Sequence, residues 1–149
     1  SNWQRKNKYC TNCGSPLDLI HGSTCQQCSA CQTMSWPRQD PSMIVSIISR
    51  CGSKILLARS PRHPPKMHTV LAGFVEVGNE TFESAVARET FEEVGIRIDL
   101  DSIKYIGSQP WPFPQSCMIA FTAKADETQP FTIDTNELID AKWFSREDV

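Results

Sequence analysis

The segment GFVEVGNETFESAVARETFEEVGI, residues 73–96, decides the fold because it contains the strongest helical pattern in the chain. Apolar residues recur there with helical spacing, which predicts an α-helix over Thr81–Val94. Gly95 follows as a natural C-terminal stop. Gly73 and Gly78 bracket the loop that enters the helix, and glycine lets a backbone approach a phosphate or a metal closely.

The apolar face of this helix turns acidic along its length. It begins with Phe82, Ala85 and Val86, and the same stripe continues with three carboxylates at Glu89, Glu92 and Glu93. Like charges on one helix face are unfavourable unless something neutralises them. A hard divalent cation that also contacts phosphate is one solution. A solvated acidic face is the alternative, although the apolar first half of the stripe argues against it.

Arg88 lies directly before the carboxylates and is within reach of Glu80 or Glu83. It either forms a surface ion pair or holds the carboxylate array in place.

The surrounding pattern is that of strands with few helices. Thr69–Val77 is expected to be short and extended, and Arg59–His68 to be a loop, since it contains three prolines. The other predicted strands are Met43–Ser49, Lys54–Ala58, Ile103–Gly107, Cys117–Lys124 and Ala141–Phe144. This order predicts an α+β domain rather than a regular βαβ array.

The N-terminal region is a different kind of module. Five of the seven cysteines lie between Cys10 and Cys31, and the two pairs Cys10-x-x-Cys13 and Cys28-x-x-Cys31 have the spacing of a structural zinc site. Cys25 leaves the ligand set open, because Cys25 and Cys28 are also correctly spaced. The predicted domains are a zinc ribbon over residues 1–36 and a larger domain over residues 37–149.

Composition limits the class of protein. The chain has 149 residues and a net charge of -2, divided between +3 over residues 1–38 and -5 over the remaining residues. A uniformly basic nucleic-acid-binding protein is therefore excluded, although weak nucleic-acid binding by the ribbon stays open. No apolar run reaches the ~18 residues of a membrane span, so no membrane partner is expected. Reduced thiols and the lack of a secretory pattern favour the cytoplasm, or a peroxisome if the source is eukaryotic.

The segment that starts at Gly73 resembles the Nudix box. From Glu80 to Ile96 the match is in register, with Thr90 where an aliphatic residue is usual. Six residues rather than five separate Gly73 from Glu80, and Asn79 is the apparent insertion. The carboxylate spacing is unaffected.

A second motif narrows the resemblance. The stretch SQPWPFPQS, residues 108–116, resembles the signature of the NADH pyrophosphatase branch of Nudix hydrolases, which also carries a four-cysteine ribbon before its Nudix domain. Its alternating prolines favour an extended backbone that presents Trp111 and Phe113 at fixed positions. If no Nudix box preceded it, this segment would instead be interpreted as a rigid connector or an SH3/WW ligand.

The resemblance implies a Nudix α/β/α sandwich preceded by a zinc ribbon. The implied activity is hydrolysis of the pyrophosphate of NAD(H) to nicotinamide mononucleotide and AMP, and removal of NAD caps from RNA. The implied cofactors are Mg²⁺ or Mn²⁺ for catalysis and Zn²⁺ for structure. A homodimer is expected for the full-length protein, since full-length members of this branch tend to dimerise. Members also usually carry a further N-terminal domain and a helical tail.

The resemblance also assigns residues. The implied catalytic residues are Glu89, Glu92, Glu93, Arg88 and Glu137, with either Glu92 or Glu93 as the base. The implied ligands of the catalytic metal are the backbone of Ala72 and the side chains of Glu89, Glu92, Glu93 and Glu137. Phe74 is expected to stack on a base of the substrate. The other expected substrate-binding residues are Gln109, Trp111, Phe113 and Ser116.

Two alternatives stay open. One is hydrolysis of another nucleoside diphosphate, such as ADP-ribose. The other is a zinc-ribbon binding module with an inactive Nudix domain. The basic loop residues Arg59, Arg62, His63, Lys66 and His68 either meet phosphates or an RNA backbone, or form a solvated loop.

Overall fold

The computed structural model describes residues 2–20, 22 and 24–149. The chain divides into two compact units, Ser1–Gln39 and Asp40–Val149. No helix among the described residues is long and apolar enough to cross a membrane.

The first unit is a small three-stranded antiparallel sheet. A short helix α1 (Asn2–Lys6) precedes the strands β1 (Leu17–Leu19), β2 (Gln26–Cys28) and β3 (Met34–Ser35). The strand order is β1-β2-β3. Its buried apolar residues among those described are the cysteines Cys10, Cys25 and Cys28, so this unit lacks an aliphatic core of its own.

The second unit is a six-stranded mixed sheet with a helix packed on it. The strands are β4 (Asp40–Ser49), β5 (Lys54–Arg59), β6 (Leu71–Phe74), β7 (Ile98–Trp111), β8 (Ser116–Ala125) and β9 (Asp140–Ser145), and the helix is α2 (Phe82–Val94). The order is β7-β8-β4-β5-β9, with β6 paired to β4. The central strands β4 and β8 are parallel, and the other pairs are antiparallel. The prediction of an α+β fold is confirmed. Of the two helical layers in the expected α/β/α sandwich, the described residues of this unit form one, which is α2.

The predicted helix α2 is confirmed at both ends. Thr81 is its N-cap, and its side chain accepts a hydrogen bond from the backbone N–H of Ser84, whose hydroxyl in turn accepts one from the Thr81 backbone. Gly95 ends the helix in the left-handed conformation, with a φ of 75°. Thr90, the departure from the aliphatic pattern, is fully buried, and its hydroxyl donates to the Val86 carbonyl at 2.7 Å. The helix thus accommodates a polar side chain in the core.

Alternation along β4 gives the sheet a buried face and a half-buried face. Met43, Val45 and Ile47 are buried beneath α2, together with Ala85, Val86 and Val94 of the helix. Ile44 and Ile48, which alternate with them, lie on the opposite face. Among the described residues of Asp40–Val149, α2 is the helix that covers this sheet, and it covers one face.

The expectation of an extended conformation throughout residues 108–116 is wrong. Strand β7 runs only to Trp111, the next four residues form a turn, and β8 begins at Ser116. Pro110 is tolerated in β7 because this strand lies at the edge of the sheet. Pro112 and Pro114 lie in the turn, where a missing N–H interrupts no ladder.

Candidate active site

The carboxylate of Glu89 lies directly against the backbone of Gly73. A Cβ atom added at Gly73 would overlap the Glu89 carboxyl group, so a larger residue at this position would displace that carboxylate. The contact brings the first strand of the box, β6, next to α2. Burial raises the pKa of Glu89 above its ordinary value, and the neighbouring carboxylates of Glu92 and Glu137 add to the effect.

Arg88 is the centre of an ion-pair network. Its Nε and Nη2 donate to the two oxygens of Glu80 at 2.7 and 3.0 Å. Its Nη1 lies 3.0 Å from a carboxylate oxygen of Glu89 and 3.0 Å from one of Glu92. Nη2 also donates to the Phe74 carbonyl at 2.9 Å. Of the two partners predicted from spacing, Glu80 is the one that Arg88 contacts, and this bidentate pair ties the loop to the helix.

Glu93 is the most perturbed carboxyl group of the site. Only 7% of the residue is exposed. Burial, together with the neighbouring carboxylates of Glu89 and Glu137, raises its pKa to about 8. A buried carboxyl group among other carboxylates fits a site that binds a cation, because a cation would remove this repulsion.

The segment that carries Glu137 is fixed to the end of α2. The backbone N–H of Asp134 donates to the Glu93 carbonyl at 3.0 Å. The Asp134 carboxylate then accepts from the backbone and the side chain of Asn136, at 2.9 and 2.8 Å. This turn places Glu137 next to Glu93. Sequence reasoning missed Asp134, although the Asp-x-Asn spacing is a known turn signal.

A cavity of about 250 Å³ lies beside these carboxylates. Ala72, Glu93 and Glu137 line it, and all three are among the predicted metal-binding residues. Glu89 lies next to Ala72, against Gly73. Glu92 does not line the cavity; its side chain is 58% exposed and points to Arg88. Three of the five predicted metal-binding residues therefore line the cavity, Glu89 lies beside it without lining it, and Glu92 lies at its rim.

The predicted substrate-binding residues share the sheet face opposite α2. Strand register places Phe74 opposite Ser42, which lies level with Met118 and through it with Gln109. The next row of the same face holds Ser116 and Trp111. Side chains at directly paired positions point to the same side of a sheet, so Phe74, Gln109, Trp111 and Ser116 project together.

Phe74 is exposed in a manner unusual for a large aromatic residue. It is 57% exposed and lines an open groove of about 650 Å³ with Asp40, Pro41 and residues 75–77. Phe113 is also exposed, and its ring contacts that of Trp111 edge to face, with 5.9 Å between centroids. Exposed rings beside a groove can stack on a planar base.

The first unit contains a separate candidate metal centre. The sulfur atoms of Cys10, Cys13, Cys28 and Cys31 all lie within 4.8 Å of one another. The Cys13 and Cys28 sulfurs are 3.4 Å apart, too far for a disulfide, and a tetrahedral zinc site needs about 3.8 Å. The Thr33 hydroxyl and backbone lower the pKa of the Cys31 thiol, which favours the thiolate that zinc binds. Cys25 is buried outside this cluster.

Comparison with protein families gives one match in the second unit. A family model described as the NUDIX domain matches residues 40–149. A solved structure of a NUDIX hydrolase from Nitrosomonas europaea superimposes with a TM-score of 0.71 and 28% identity, over 95% of this chain and 80% of that one. The NUDIX domain of Shewanella oneidensis NrtR superimposes with a TM-score of 0.62 at 19% identity, over 76% of this chain and 77% of that one; this likeness shows the fold alone.

Curated relatives extend the match into the first unit. A protein named NAD-capped RNA hydrolase NudC from Vibrio vulnificus is 47% identical over 144 residues, which are 95% of this chain and 52% of that protein. The protein of the same name from Salmonella typhi is 46% identical over 145 residues, 97% of this chain and 54% of that protein. The chain spans about half the length of the curated relatives it matches.

Proposed function

Because the chain belongs to the Nudix family, we propose that it is a metal-dependent hydrolase that cleaves the pyrophosphate of NAD(H), and of NAD caps on RNA. Water adds to one phosphorus atom, the bridging P–O bond breaks, and the products are nicotinamide mononucleotide and AMP. With a capped RNA the second product is an RNA with a 5′-phosphate. The relatives named NAD-capped RNA hydrolase support this substrate class.

One observation carries the proposal: the buried carboxyl group of Glu93 lines a cavity together with Glu137 and Ala72, and the half-buried carboxyl group of Glu89 lies next to it, against Gly73. The donor set consists of oxygens from Glu89, Glu93, Glu137 and the Ala72 backbone, which suits Mg²⁺ or Mn²⁺. When bound, such ions neutralise phosphate charge and lower the pKa of water. The raised pKa of Glu93 agrees with this donor set, because the negative form of Glu93 is disfavoured without a cation and a bound cation would stabilise it.

The residues of the chain have distinct parts in this proposal. Glu93 faces the cavity and is placed to accept a proton from the attacking water, whereas Glu92 is engaged with Arg88 at the rim. Arg88 orients Glu80, Glu89 and Glu92 and does not itself reach the cavity lining. Phe74, with Trp111 and Gln109 on the same face, holds a base of the dinucleotide.

The decisive assay is incubation with NADH and Mg²⁺ or Mn²⁺, followed by chromatographic separation of the nucleotides. We expect nicotinamide mononucleotide and AMP in equal amounts, and a loss of at least about a hundredfold in kcat for Glu93→Gln, as for removal of a general base. Glu83→Gln is the matched control, because Glu83 is an exposed carboxylate on the same helix, outside the cavity. Absence of AMP with every metal would favour a zinc-ribbon binding module with an inactive Nudix domain. Faster hydrolysis of ADP-ribose than of NADH would favour a hydrolase of another nucleoside diphosphate.

The four-cysteine cluster is proposed to bind one structural zinc ion. Four thiolates leave no open coordination position, so this zinc has no part in hydrolysis. It holds a unit whose buried residues are mostly its own cysteines.

A further inference from the structure

The loop Arg59–His68, here called the basic loop, contains two kinds of cationic side chain. One kind is already paired: Asp140 accepts from His68 Nε2 at 2.9 Å and lies 3.7 Å from Arg59 Nε. The His68 ring also contacts Phe144, with 5.0 Å between centroids. Arg59 and His68 therefore stabilise the attachment of the basic loop to β9.

Arg62 and His63 belong to the other kind. Both line the cavity that Glu93 and Glu137 also line. Arg62 forms no ion pair or side-chain hydrogen bond with the residues that the structure describes. His63 Nδ1 is buried without a hydrogen-bond partner among those residues. A tight turn fixes both side chains, since the N–H of His63 donates to the Ser60 carbonyl at 3.1 Å and that of Arg62 to the Ser60 hydroxyl at 3.3 Å.

The ring nitrogen Nδ1 of His63 needs an explanation in physical terms, because a buried polar atom without a partner destabilises the fold and native structures rarely retain one without a use. Arg62 is exposed, and its guanidinium is free to bind a ligand. Both residues line one cavity of about 250 Å³. That is many times the ~30 Å³ share of one water and slightly below the roughly 300–1,000 Å³ of sites for complete small ligands. The cavity fits a phosphate with part of a sugar.

We propose that Arg62 and His63 bind a phosphoryl group of the substrate, across the cavity from Glu93 and Glu137. Arg presents a planar fork that matches phosphate oxygens, and the imidazole adds one hydrogen bond. The inference rests on the proposed function and specifies how the substrate is held. The phosphoryl group has two sources: the pyrophosphate being cleaved, or the phosphodiester that joins an NAD cap to the next nucleotide.

Steady-state kinetics on two substrates distinguish the sources. NADH and a short NAD-capped oligonucleotide are compared with wild type, Arg62→Gln and His63→Gln. Lys66→Gln is the matched control, because it removes a charge from the same loop outside the cavity lining. We expect kcat/KM to fall about tenfold in Arg62→Gln, as for loss of one charge-assisted hydrogen bond, with Lys66→Gln close to wild type.

A fall with both substrates assigns the site to the cleaved pyrophosphate, and a fall with the oligonucleotide alone assigns it to the phosphodiester. Arg62→Lys keeps the charge and should recover part of the loss. The proposal is overturned if Arg62→Gln behaves like Lys66→Gln on both substrates.

A binding measurement separates this proposal from the proposed function. Inorganic phosphate is titrated into the Mg²⁺-loaded wild-type protein while the His63 imidazole resonances, identified by their absence in His63→Gln, are followed by NMR. We expect saturable shifts that are lost in Arg62→Gln and kept in Lys66→Gln. If wild type hydrolyses neither substrate, the proposed function fails while this titration still decides on the phosphate site. Unchanged His63 signals at saturating phosphate would refute the site.

Discussion

At the scale of single residues, the site is a balance between buried carboxylates and one guanidinium. Arg88 compensates Glu80, Glu89 and Glu92 at the rim, but no cation among the described residues pairs with Glu93. The chain thus carries a buried carboxyl group without a cationic partner at the place where a metal is proposed. This arrangement lowers the stability of the metal-free protein and increases its affinity for cations.

The first residue-scale prediction concerns pH. The folded chain retains a proton on Glu93 up to about pH 8, whereas the unfolded chain releases it near the ordinary glutamate pKa of 4.5. In the metal-free protein the free energy of unfolding should therefore fall as the pH rises between those values, because the unfolded state binds fewer protons. Chemical denaturation at three pH values about a unit or more apart, pH 5, 6.5 and 8, measures how steeply the free energy of unfolding falls with pH.

Glu93→Gln should flatten that dependence, and Glu83→Gln should leave it unchanged. Mg²⁺ should raise the midpoint of unfolding more at the highest pH than at the lowest. A slope of the same size in Glu93→Gln would contradict the assignment.

The second residue-scale prediction concerns Arg88. Arg88→Gln leaves the partly buried carboxylates of Glu80 and Glu89 without their donor. We expect a loss of about 2 kcal/mol in the free energy of unfolding, within the range for removal of a partner from charged hydrogen bonds. Urea denaturation measures it, with Arg62→Gln as control because Arg62 has no such partner among the described residues. Equal stability of the two variants would show that the Arg88 network contributes nothing.

At the scale of elements, the C-terminal end of α2 joins the helix to the segment that carries Glu137. Gly95 has a positive φ of 75°, and an added Cβ would come within 2.8 Å of Thr132 Cβ. The Thr132 N–H donates to the Val94 carbonyl at 2.9 Å. The helix end and the Asp134 turn therefore form one packed corner.

Gly95→Ala should destabilise the protein by about 2 kcal/mol, because left-handed strain adds to the overlap with Thr132. Gly52→Ala is the matched control: its φ is 79°, but no atom lies within 4 Å of the added Cβ. The control should lose only the strain contribution, about 1 kcal/mol. Thermal unfolding followed by circular dichroism compares the two, and a smaller loss at Gly95 than at Gly52 would contradict the packing argument.

The elements that sequence predicted well are those with local signals. Helix α2 was predictable because its cap, its apolar stripe and its glycine stop all lie within one segment. Strand β7 was predicted only over Ile103–Gly107, although it spans Ile98–Trp111. Register shifts between Asp99 and Lys104 and between Tyr105 and Gly107 interrupt its alternation, so its period-2 pattern is broken.

The candidate site divides in the same way. The carboxylates of the box were identifiable from their spacing, because they lie on one helix. The distinction between Glu92 at the rim and Glu93 in the cavity was not, because it depends on Glu137, Asp134 and Ala72, which come from distant segments. From the sequence, Arg62 and His63 could be identified only as members of a basic loop. The sequence does not show that Asp140 pairs with Arg59 and His68 and leaves Arg62 and His63 unpaired, because that pairing is a tertiary contact.

At the scale of the whole molecule, the two units depend on different stabilising forces. Asp40–Val149 has a continuous apolar core, whereas the buried apolar residues described in Ser1–Gln39 are cysteines. The first unit should therefore depend on its metal and the second should not.

Zinc removal tests this dependence. The purified chain should contain about one zinc ion, measured by elemental analysis, and chelation should unfold Ser1–Gln39 while the transition of Asp40–Val149 persists. Cys31→Ser should lose the zinc, and Cys25→Ser should retain it, because Cys31 belongs to the cluster and Cys25 lies outside it. Zinc retained in Cys31→Ser but lost in Cys25→Ser would require the ligand set that contains the Cys25–Cys28 pair.

The edge strand β7 underlies a prediction about assembly. The exposed apolar residues of β7 and the turn after it are Leu100, Tyr105, Ile106, Trp111 and Phe113. An apolar edge strand favours pairing with a second copy. We expect sedimentation velocity to show a dimer that Ile106→Lys converts to monomer, with Leu19→Lys, at an exposed apolar residue of the first unit, as control. A monomer at every concentration would exclude this surface.

The parallel pair at the centre of the sheet has a consequence for biosynthesis. Strand β4 pairs with β8 along all ten residues from Asp40 to Ser49, and the partners are 76 positions apart, as for Ser46 and Thr122. During translation, β4 therefore leaves the ribosome long before its central neighbour exists. Its apolar residues must wait, exposed or held by a chaperone, until β8 follows. The pairing of β4 with β8 is therefore a late step, and the glutamates of α2 that are proposed to bind metal emerge before β8.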